Sequence, residues 1–270
     1  METEASYLSI AKQCGLVHGE TVYLAANITR IALYAKKNKE KFNTEDFIHS
    51  FTKIIGQEGT LLIPGFNHHL KTNEKFDYLK TQPETGIIAQ TAMRMKEFKR
   101  TNHPLHSFFV WGKNQSELCQ MNNKTSFGSD SPFAYLFQNN ATMLVIDLDL
   151  QSSLTFAHFS EELEKVKYRK WKSVPIKYTD ENSRQEIKIF RQFRKKPGFI
   201  NNVNPMLKIF LGNGAAEKYM IHQIPIIKLQ LSKVHSLIKS DIHNNKAKNI
   251  VYFSYRNWMK DIIKLILGRS

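Results

Sequence analysis

The sequence has little cysteine. Only two of its 270 residues are cysteines, Cys14 and Cys119, and neither has a second cysteine at the spacing of a metal site or a redox pair. This scarcity is typical of a protein in a reducing compartment and argues against a zinc site. We expect both side chains to be small apolar core residues and expect no bound metal.

The sequence also lacks a long apolar run. It contains no stretch of about 18 uncharged apolar residues, the length that a membrane-spanning helix requires. Its beginning is acidic, with Glu2 and Glu4, and no apolar segment follows that would form the core of a signal peptide. We therefore predict neither a membrane span nor a leader, and a cytoplasmic location.

Several enzyme motifs are missing. Neither familiar spacing of a glycine-rich phosphate loop is present, and Gly212 with Gly214 is too little to indicate one, which weakens kinase and dinucleotide-binding hypotheses. The Gly-x-Ser-x-Gly and His-Glu-x-x-His patterns are absent too, so hydrolase and zinc-protease hypotheses are poorly supported.

Positive charge, in contrast, is abundant. Lysine and arginine number 39 against 24 aspartates and glutamates, a formal net charge of +15. A field of that sign concentrates anionic ligands and repels polycations. Nucleic acid, an anionic membrane surface and substrates with several phosphates all satisfy this charge, and composition does not choose among them.

Strands and helices are predicted to alternate through the first two thirds of the chain, which favours an α/β layered sheet within one domain over residues 1–270. The predicted elements are a strand at Thr21 to Ala26, a basic linker at Lys36 to Lys41, a helix from Asn43 or Thr44 to Gly56, a strand at Leu61 to Pro64, a helix at Ile87 to Phe98, a strand at Phe108 to Gly112, a helix at Phe133 to Phe137, a strand at Met143 to Ile146 and a helix at Leu154 to Val166.

The pattern then changes. Two segments, Val174 to Tyr178 and Glu186 to Phe190, flank a turn-forming segment at Asp180 to Ser183, which predicts an antiparallel hairpin and a mixed sheet. The segment Trp258 to Leu267 is a basic amphipathic helix, and we expect it to cover a sheet in preference to lying on a membrane.

Two histidine groups are candidates for chemistry. His158 and Glu161 are spaced i and i+3 on a predicted helix, so the carboxylate can orient the imidazole. A neutral histidine held in this way is a competent general base near neutral pH. The other group, His103 to Ser107, precedes an apolar strand and on its own is typical of a turn.

The order of short motifs resembles that of the aminoglycoside 3-N-acetyltransferase family, also called the antibiotic N-acetyltransferase family. The resemblance covers residues 15–165 and implies a three-layer α/β/α sandwich with a mixed central sheet, acetyl-CoA or a longer acyl-CoA as donor, and a sugar amine as acceptor. The motifs that carry it are Gly19 to Val22, Gly56 to Pro64, Thr85 to Ile88, Arg100 to Ser107, Gly112, Phe127 to Phe133 and Thr155 to Glu161.

For the reaction, the resemblance implies that His158 is the catalytic histidine and Glu161 its acidic partner. His106 and Ser107 match the second histidine motif of the family and are candidate donors to the carbonyl oxygen of the thioester. We find no serine or cysteine in a nucleophile context, so direct transfer within a ternary complex is preferred over an acyl-enzyme.

For the donor, the segment Ala26 to Arg30 occupies the place of the family's His-Ser-Ser segment and departs from it, although Asn27 and Thr29 can still bond the pantetheine arm. The predicted CoA-binding residues are Asn27, Thr29, Arg30, Arg100, His103 and Ser131.

For the acceptor, the net charge disfavours a polycationic aminoglycoside and favours a nucleotide-linked amino-deoxysugar, such as a dTDP- or UDP-sugar destined for a surface polysaccharide. Residues 166–270 are expected to complete the acceptor site, because basic and aromatic side chains suit a pyrophosphate and a base. The predicted acceptor residues are Thr155, Arg191, Phe193 and Arg194.

Two alternatives stay open. An aminoglycoside 3-N-acetyltransferase would use the same chemistry on a different acceptor. A basic RNA-binding protein is the hypothesis from another class, supported by the basic and aromatic segment from Lys165 to Lys172, but it leaves the ordered motifs unexplained, and we expect no nucleic-acid partner. Analogy with the family suggests a homodimer.

Overall fold

The computed structural model describes residues 5–267 and is built on twelve strands and eleven α-helices in that range. The strands are β1 (Thr21–Ala26), β2 (Thr60–Phe66), β3 (Lys75–Asp77), β4 (Lys99–Arg100), β5 (His106–Gly112), β6 (Thr142–Ile146), β7 (Arg169–Thr179), β8 (Gln185–Lys195), β9 (Phe199–Asn201), β10 (Ala216–Ile221), β11 (Ile224–Gln230) and β12 (Val251–Phe253). The helices are α1 (Ser9–Gln13), α2 (Thr29–Lys37), α3 (Thr44–Ile55), α4 (Ile87–Arg94), α5 (Gln115–Gln120), α6 (Pro132–Gln138), α7 (Leu150–Ser153), α8 (Ala157–Leu163), α9 (Met206–Gly212), α10 (Leu231–Asn245) and α11 (Tyr255–Ile266).

A seven-stranded mixed sheet forms the middle layer, in the order β10-β11-β6-β1-β2-β5-β4. Strand β1 is parallel to both β2 and β6, whereas β5 and β11 run antiparallel to their neighbours. Side chains alternate between the two faces of β1, so that Tyr23 and Ala25 join one core while Val22 and Leu24 join the other. Helices cover both faces, which confirms the predicted α/β/α sandwich with a mixed sheet.

The helix α3 shows how local chemistry sets an element's ends. The side chain of Asn43 accepts hydrogen bonds from the backbone N–H groups of Glu45 and Asp46, which satisfies two free donors of the first turn. Gly56 follows the last turn with a φ of 65°, a conformation that favours glycine. Both ends of this helix were predicted.

Two predictions about helices were wrong. The basic stretch beginning at Lys36 is not wholly a linker, because α2 continues through Lys37; its buried side, Ile31 and Ala35, is spaced i and i+4. The helix predicted at Leu154 to Val166 is shorter, because within that range only α8 (Ala157–Leu163) is helical. The short helix α7 precedes it, and the backbone at Leu154, with a ψ of 57°, leaves the helical region between the two.

Two smaller sheets extend the sandwich. The predicted hairpin is confirmed and is longer than expected, with β7 paired along its whole length to β8, and β3 adds a third strand beside β7. This sheet has its own small core around Phe76, Tyr178 and Phe190. Strands β9 and β12 form the other sheet.

The C-terminal helix differs from its prediction. It begins at Tyr255 instead of Trp258, and no residue of α11 is buried, so it does not cover a sheet. Within residues 5–267, no helix is long and apolar enough to cross a membrane.

Candidate active site

The carboxyl ends of three neighbouring strands, β1, β2 and β6, lie at one edge of the central sheet. Asn27 follows β1, His68 follows β2, and the segment after β6 leads to His158 on α8. His106 reaches the same edge from the start of the antiparallel strand β5, where it pairs with Phe66. In open α/β sheets this edge is where ligands bind, at the strand where the connections diverge.

His158 and Glu161 form a close pair at this edge. The distance from His158 Nδ1 to Glu161 Oε2 is 2.5 Å, and the Glu161 carboxylate is completely buried whereas the His158 side chain is 23% exposed. Tyr168 donates its hydroxyl hydrogen to Glu161 Oε1 at 2.8 Å, and Arg169 Nη2 lies 2.8 Å from Oε2. With Nδ1–H donated to the carboxylate, the imidazole is left with Nε2 as its free base.

Burial and the neighbouring charges keep Glu161 ionised and His158 neutral. Burial alone would raise the pKa of Glu161, but His158, Arg169 and Tyr168 together lower it to about 2, so the residue is a carboxylate. Burial and the Arg169 guanidinium lower the pKa of His158 and outweigh the attraction of Glu161. The imidazole is therefore neutral at neutral pH.

Arg169 is held by the hairpin and its neighbour. It is buried, and its guanidinium donates to the backbone oxygen of Phe193 at 3.0 Å and to Asn201 Oδ1 at 3.2 Å. Its Nη2 also lies 3.0 Å from His158 Nδ1, a contact between two donors once Nδ1 is protonated. The hairpin thus places a fixed cation beside both members of the pair.

Three more rings lie near His158, those of Phe127, His106 and His68. The ring of Phe127 lies 5.6 Å from that of His158 and 4.9 Å from that of His106, and His68 lies 5.3 Å from His106. His106 Nδ1 is 2.7 Å from Ser126 Oγ. Burial, followed by repulsion from His68 and the other nearby imidazoles, lowers the pKa of His106 well below its usual value. The described residues contain no group of three or more His, Cys, Asp or Glu side chains placed to hold a metal ion.

A cavity of about 840 Å³ lies between α8 and the hairpin; we call it the hairpin cavity. It adjoins His158 through Phe127 and Arg169, which belong to its lining. Trp171 and Phe193 form an aromatic wall with ring centroids 4.8 Å apart. The residues that line it are Thr125, Phe127, Gly128, Ser129, Asp130, Glu162, Leu163, Lys165, Val166, Lys167, Arg169, Lys170, Trp171, Phe193 and Lys196.

Two carboxylates face this cavity. Glu162 Oε1 accepts a hydrogen bond from Thr125 Oγ1 at 2.7 Å, while its buried Oε2 has no hydrogen-bond partner among the described residues. Burial, and to a smaller extent the charge of Asp130, raises the pKa of Glu162 to about 7. A buried carboxylate oxygen without a partner gains stability from any hydrogen-bond donor that reaches it, so Glu162 is a candidate partner for a donor in this cavity.

A comparison with known protein families finds one that matches this chain. The model of the family described as aminoglycoside 3-N-acetyltransferase matches residues 36–239, more than half of the chain. The chain belongs to this family.

A sequence from Bacillus subtilis can be aligned with part of this chain. The SPbeta prophage-derived aminoglycoside N(3′)-acetyltransferase-like protein YokD of Bacillus subtilis (strain 168) is 22% identical over 182 residues, 59% of this chain and 64% of that protein. The alignment therefore spans less than two thirds of that relative's length.

Solved structures share the fold. AAC-IIIb in a binary complex with CoASH has a TM-score of 0.76 at 14% identity, covering 89% of this chain and 96% of that one. The crystal structure of YokD has a TM-score of 0.72 at 19% identity, with 93% and 97% covered. Sisomicin-bound AAC-VIa has a TM-score of 0.72 at 12% identity, with 91% and 99% covered. At these identities the likeness shows the fold.

Ser107 and Arg100, which the family motif suggested as site residues, do not face the cleft. Both are buried. Ser107 Oγ donates to the backbone oxygen of Gly65 at 2.7 Å and accepts from Arg100 Nε at 2.9 Å, so its hydrogen is not free for an oxyanion. The Arg100 guanidinium also donates to the backbone oxygen of Thr81 and to Asn67 Oδ1, which fixes the end of β2. We correct both assignments to supporting roles.

His103 and Ser131 are likewise structural. His103 Nδ1 lies 3.3 Å from the backbone nitrogen of Leu105, and burial lowers the pKa of the ring to about 3. Ser131 caps α6, because its Oγ accepts from the backbone N–H of Ala134 and donates to the backbone oxygen of Gly128. Both side chains are buried and engaged within the protein, so these two assignments are also corrected.

Asn27, Thr29 and Arg30 are exposed at the edge, as CoA-binding residues should be. Asn27 Oδ1 accepts from both the backbone N–H and the hydroxyl of Thr29, which orders the start of α2. Arg30 Nε lies 3.4 Å from Asp147 Oδ1, and Arg30 lines two cavities of about 310 and 560 Å³. Their contact with CoA stays a prediction.

The predicted acceptor residues are divided by the alternation of β8. Phe193 lines the hairpin cavity, and the Arg191 guanidinium, on the same face, lies 4.6 Å above the Trp171 ring. Arg194 is on the opposite face and is not among the lining residues, so the structure does not bring it to this cavity. Thr155 is half-buried and is not among the residues that line the hairpin cavity.

Four residues of the site were missed. Tyr168 and Arg169 had been assigned only to a basic and aromatic segment, and Glu162 was not singled out. His68 was detectable in principle, because it follows a buried strand at its carboxyl end, where side chains collect around a ligand.

Proposed function

We propose that the protein transfers an acetyl group from acetyl-CoA to a primary amine of an amino sugar, with an aminoglycoside as the acceptor class that its family best supports. The observation that carries this proposal is the pair of a neutral, partly exposed His158 and the fully buried Glu161 at the ligand-binding edge of the sheet. Family membership and the relatives that bind CoASH or sisomicin support it.

His158 Nε2 serves as the general base in this proposal. The amine nitrogen attacks the thioester carbonyl of the donor; a C–N bond forms, the C–S bond breaks and the thiolate of CoA leaves. His158 accepts the amine proton, and Glu161 stabilises the resulting imidazolium through Nδ1–H. Arg169 keeps Glu161 ionised throughout, so the proton moves to His158 and not to the carboxylate.

A different group must face the carbonyl oxygen, because Ser107 is occupied by Gly65. His106 remains as the side-chain candidate. When the Ser126 hydroxyl donates to its Nδ1, the ring carries its hydrogen on Nε2, and the lowered pKa keeps it neutral. A neutral imidazole N–H is a suitable oxyanion donor.

A nucleotide-linked amino sugar is a second candidate acceptor, because the hairpin cavity is more basic than acidic. Its lining includes the two carboxylates of Asp130 and Glu162 against a larger set of cations, and the Trp171 and Phe193 rings can stack a base. The cationic lining residues are Lys165, Lys167, Arg169, Lys170 and Lys196.

The acceptor class is tested by thiol release from acetyl-CoA in the presence of an aminoglycoside, a dTDP- or UDP-linked amino sugar, or RNA. We expect turnover with the aminoglycoside. Turnover with the nucleotide sugar and none with the aminoglycoside would support the second candidate acceptor instead. Tight RNA binding without any thiol release would support the RNA-binding hypothesis instead.

Glu162 distinguishes the two acceptor classes. Substituting Glu162→Gln removes a charged partner of a cationic acceptor, so we expect KM for an aminoglycoside to rise roughly 10- to 100-fold at pH 8, with KM for acetyl-CoA unchanged. Because the pKa of Glu162 is raised to about 7, the wild-type KM should fall as pH rises through 7 and the carboxyl ionises.

Glu164→Gln is the matched control, since Glu164 lies one residue beyond α8 and binds His243 and Lys239. It should leave both KM values unchanged. An equal rise in KM for both acceptor classes in Glu162→Gln would contradict a direct contact with the amine and indicate a general disturbance of the cavity.

A further inference from the structure

The helix α11 exposes a continuous apolar strip. Tyr255, Met259, Ile263 and Ile266 are 64%, 44%, 54% and 78% exposed, and their spacing places them on one side of the helix. We call these four residues the apolar strip. An exposed apolar surface of this kind marks an interaction site.

The helix is attached through another side. The backbone N–H of Gly198 donates to Asp261 Oδ2 at 3.0 Å, and a Cβ added at Gly198 would lie 2.8 Å from Trp258 Cβ. At about 100° per residue, Asp261 and Trp258 lie on the side of the helix roughly opposite Ile263, a member of the apolar strip. The strip therefore faces away from the body of the protein because the helix is fixed from behind.

A row of cations borders the apolar strip. Arg256, Lys260 and Lys264 are exposed and are spaced four residues apart, so they lie along one line of the helix. Asp261 is the acidic residue of α11, and it is engaged with Gly198. We call the three cations the basic row; together with the apolar strip they form the outer surface of α11.

We propose that α11 docks the protein on a membrane surface rich in anionic lipid. The apolar strip enters the boundary between headgroups and acyl chains, and the basic row meets the lipid phosphates. Charge complementarity selects this occupant over a second copy of the chain, since two basic rows on molecules of formal net charge +15 repel each other. A helix of twelve residues lies in the plane of the bilayer and does not span it.

The test is co-sedimentation of the full chain with vesicles of phosphatidylcholine alone and with vesicles containing an equal part of phosphatidylglycerol. We expect at least about tenfold stronger partition to the anionic vesicles, weakening as salt is added. The double variants Ile263→Glu with Ile266→Glu, and Lys260→Glu with Lys264→Glu, should each lower this partition by about tenfold or more. Thiol release with dissolved substrates should be unchanged in both.

Matched controls carry the same substitutions elsewhere. Ile187→Glu with Ile189→Glu changes two exposed isoleucines of β8, and Lys53→Glu with Lys96→Glu makes the same change in net charge. The proposal is overturned if the control pairs reduce binding as much as the α11 pairs, or if the full chain ignores anionic vesicles. A dimer that Ile263→Glu with Ile266→Glu dissociates, without vesicle binding, would show that a second copy covers the strip.

Discussion

Substituting His158→Ala is expected to lower kcat by about 10²- to 10⁴-fold while KM for acetyl-CoA changes little. The side chain supplies Nε2 as the proton acceptor, and its partner Glu161 is too deeply buried to take over that role. Steady-state thiol release with an accepted amino sugar measures the effect, and circular dichroism confirms that the variant is folded.

His243→Ala is the control, because His243 is an exposed histidine paired with the carboxylate of Glu164. It should retain wild-type turnover. A His158→Ala variant within threefold of wild type would contradict the proposed base and direct attention to His68 and His106, whose rings adjoin the same cleft.

The pH profile gives a second readout of the same group. The protonated imidazole is inactive as a base, so kcat falls as pH falls through the pKa of His158. Because burial and Arg169 lower that pKa below 6.5, the rate should stay level through neutral pH and decline only below 6.5.

The sequence could predict the contacts of this site that join residues close together in the chain, but not those that join separate elements. His158 and Glu161 are three positions apart, so helix geometry alone brought them together. Tyr168 and Arg169 reach the same carboxylate from β7 and the segment before it, and no local pattern distinguishes them from the surrounding lysines.

The error over Ser107 has a simple physical origin. His106 and Ser107 are adjacent on β5, and neighbouring residues on a strand point to opposite faces. His106 therefore reaches the cleft, whereas Ser107 points to Arg100 on the other side of the sheet. Motif order places both residues at the site but does not say which side chain faces it.

The fold was predicted where apolar periodicity was strong and was missed where it was interrupted. Strand β11 was not predicted. Pro225 interrupts the apolar run near its start, but a proline at the beginning of a strand costs few of its hydrogen bonds. Helix α2 was not predicted, since only Ile31 and Ala35 are buried and the lysines at its end resemble a linker.

Substituting Arg169→Leu is expected to lower the free energy of unfolding by about 3–5 kcal/mol at pH 8, because it leaves the buried carboxylate of Glu161 without its cation. Equilibrium unfolding in urea measures the loss. Arg194→Leu, an exposed arginine on the partner strand, is the matched control and should change stability by no more than about 0.5 kcal/mol. A loss below about 1 kcal/mol in Arg169→Leu would contradict the assigned role.

The same variant should weaken the pH dependence of this cluster. In the wild type the pKa of His158 is lowered on folding, so its contribution to stability is complete above 6.5 and is lost as pH falls. Without Arg169, one of the two main causes that lower this pKa is gone while Glu161 still raises it, so the pKa of His158 is higher than in the wild type and less stability is lost as pH falls. The deficit of Arg169→Leu should therefore be smaller at pH 5.5 than at pH 8, and the acid limb of kcat should move to higher pH.

Adding Glu161→Gln to the Arg169→Leu variant should recover part of the lost stability but not the turnover. The neutral amide needs no cation beside it, yet it cannot stabilise an imidazolium.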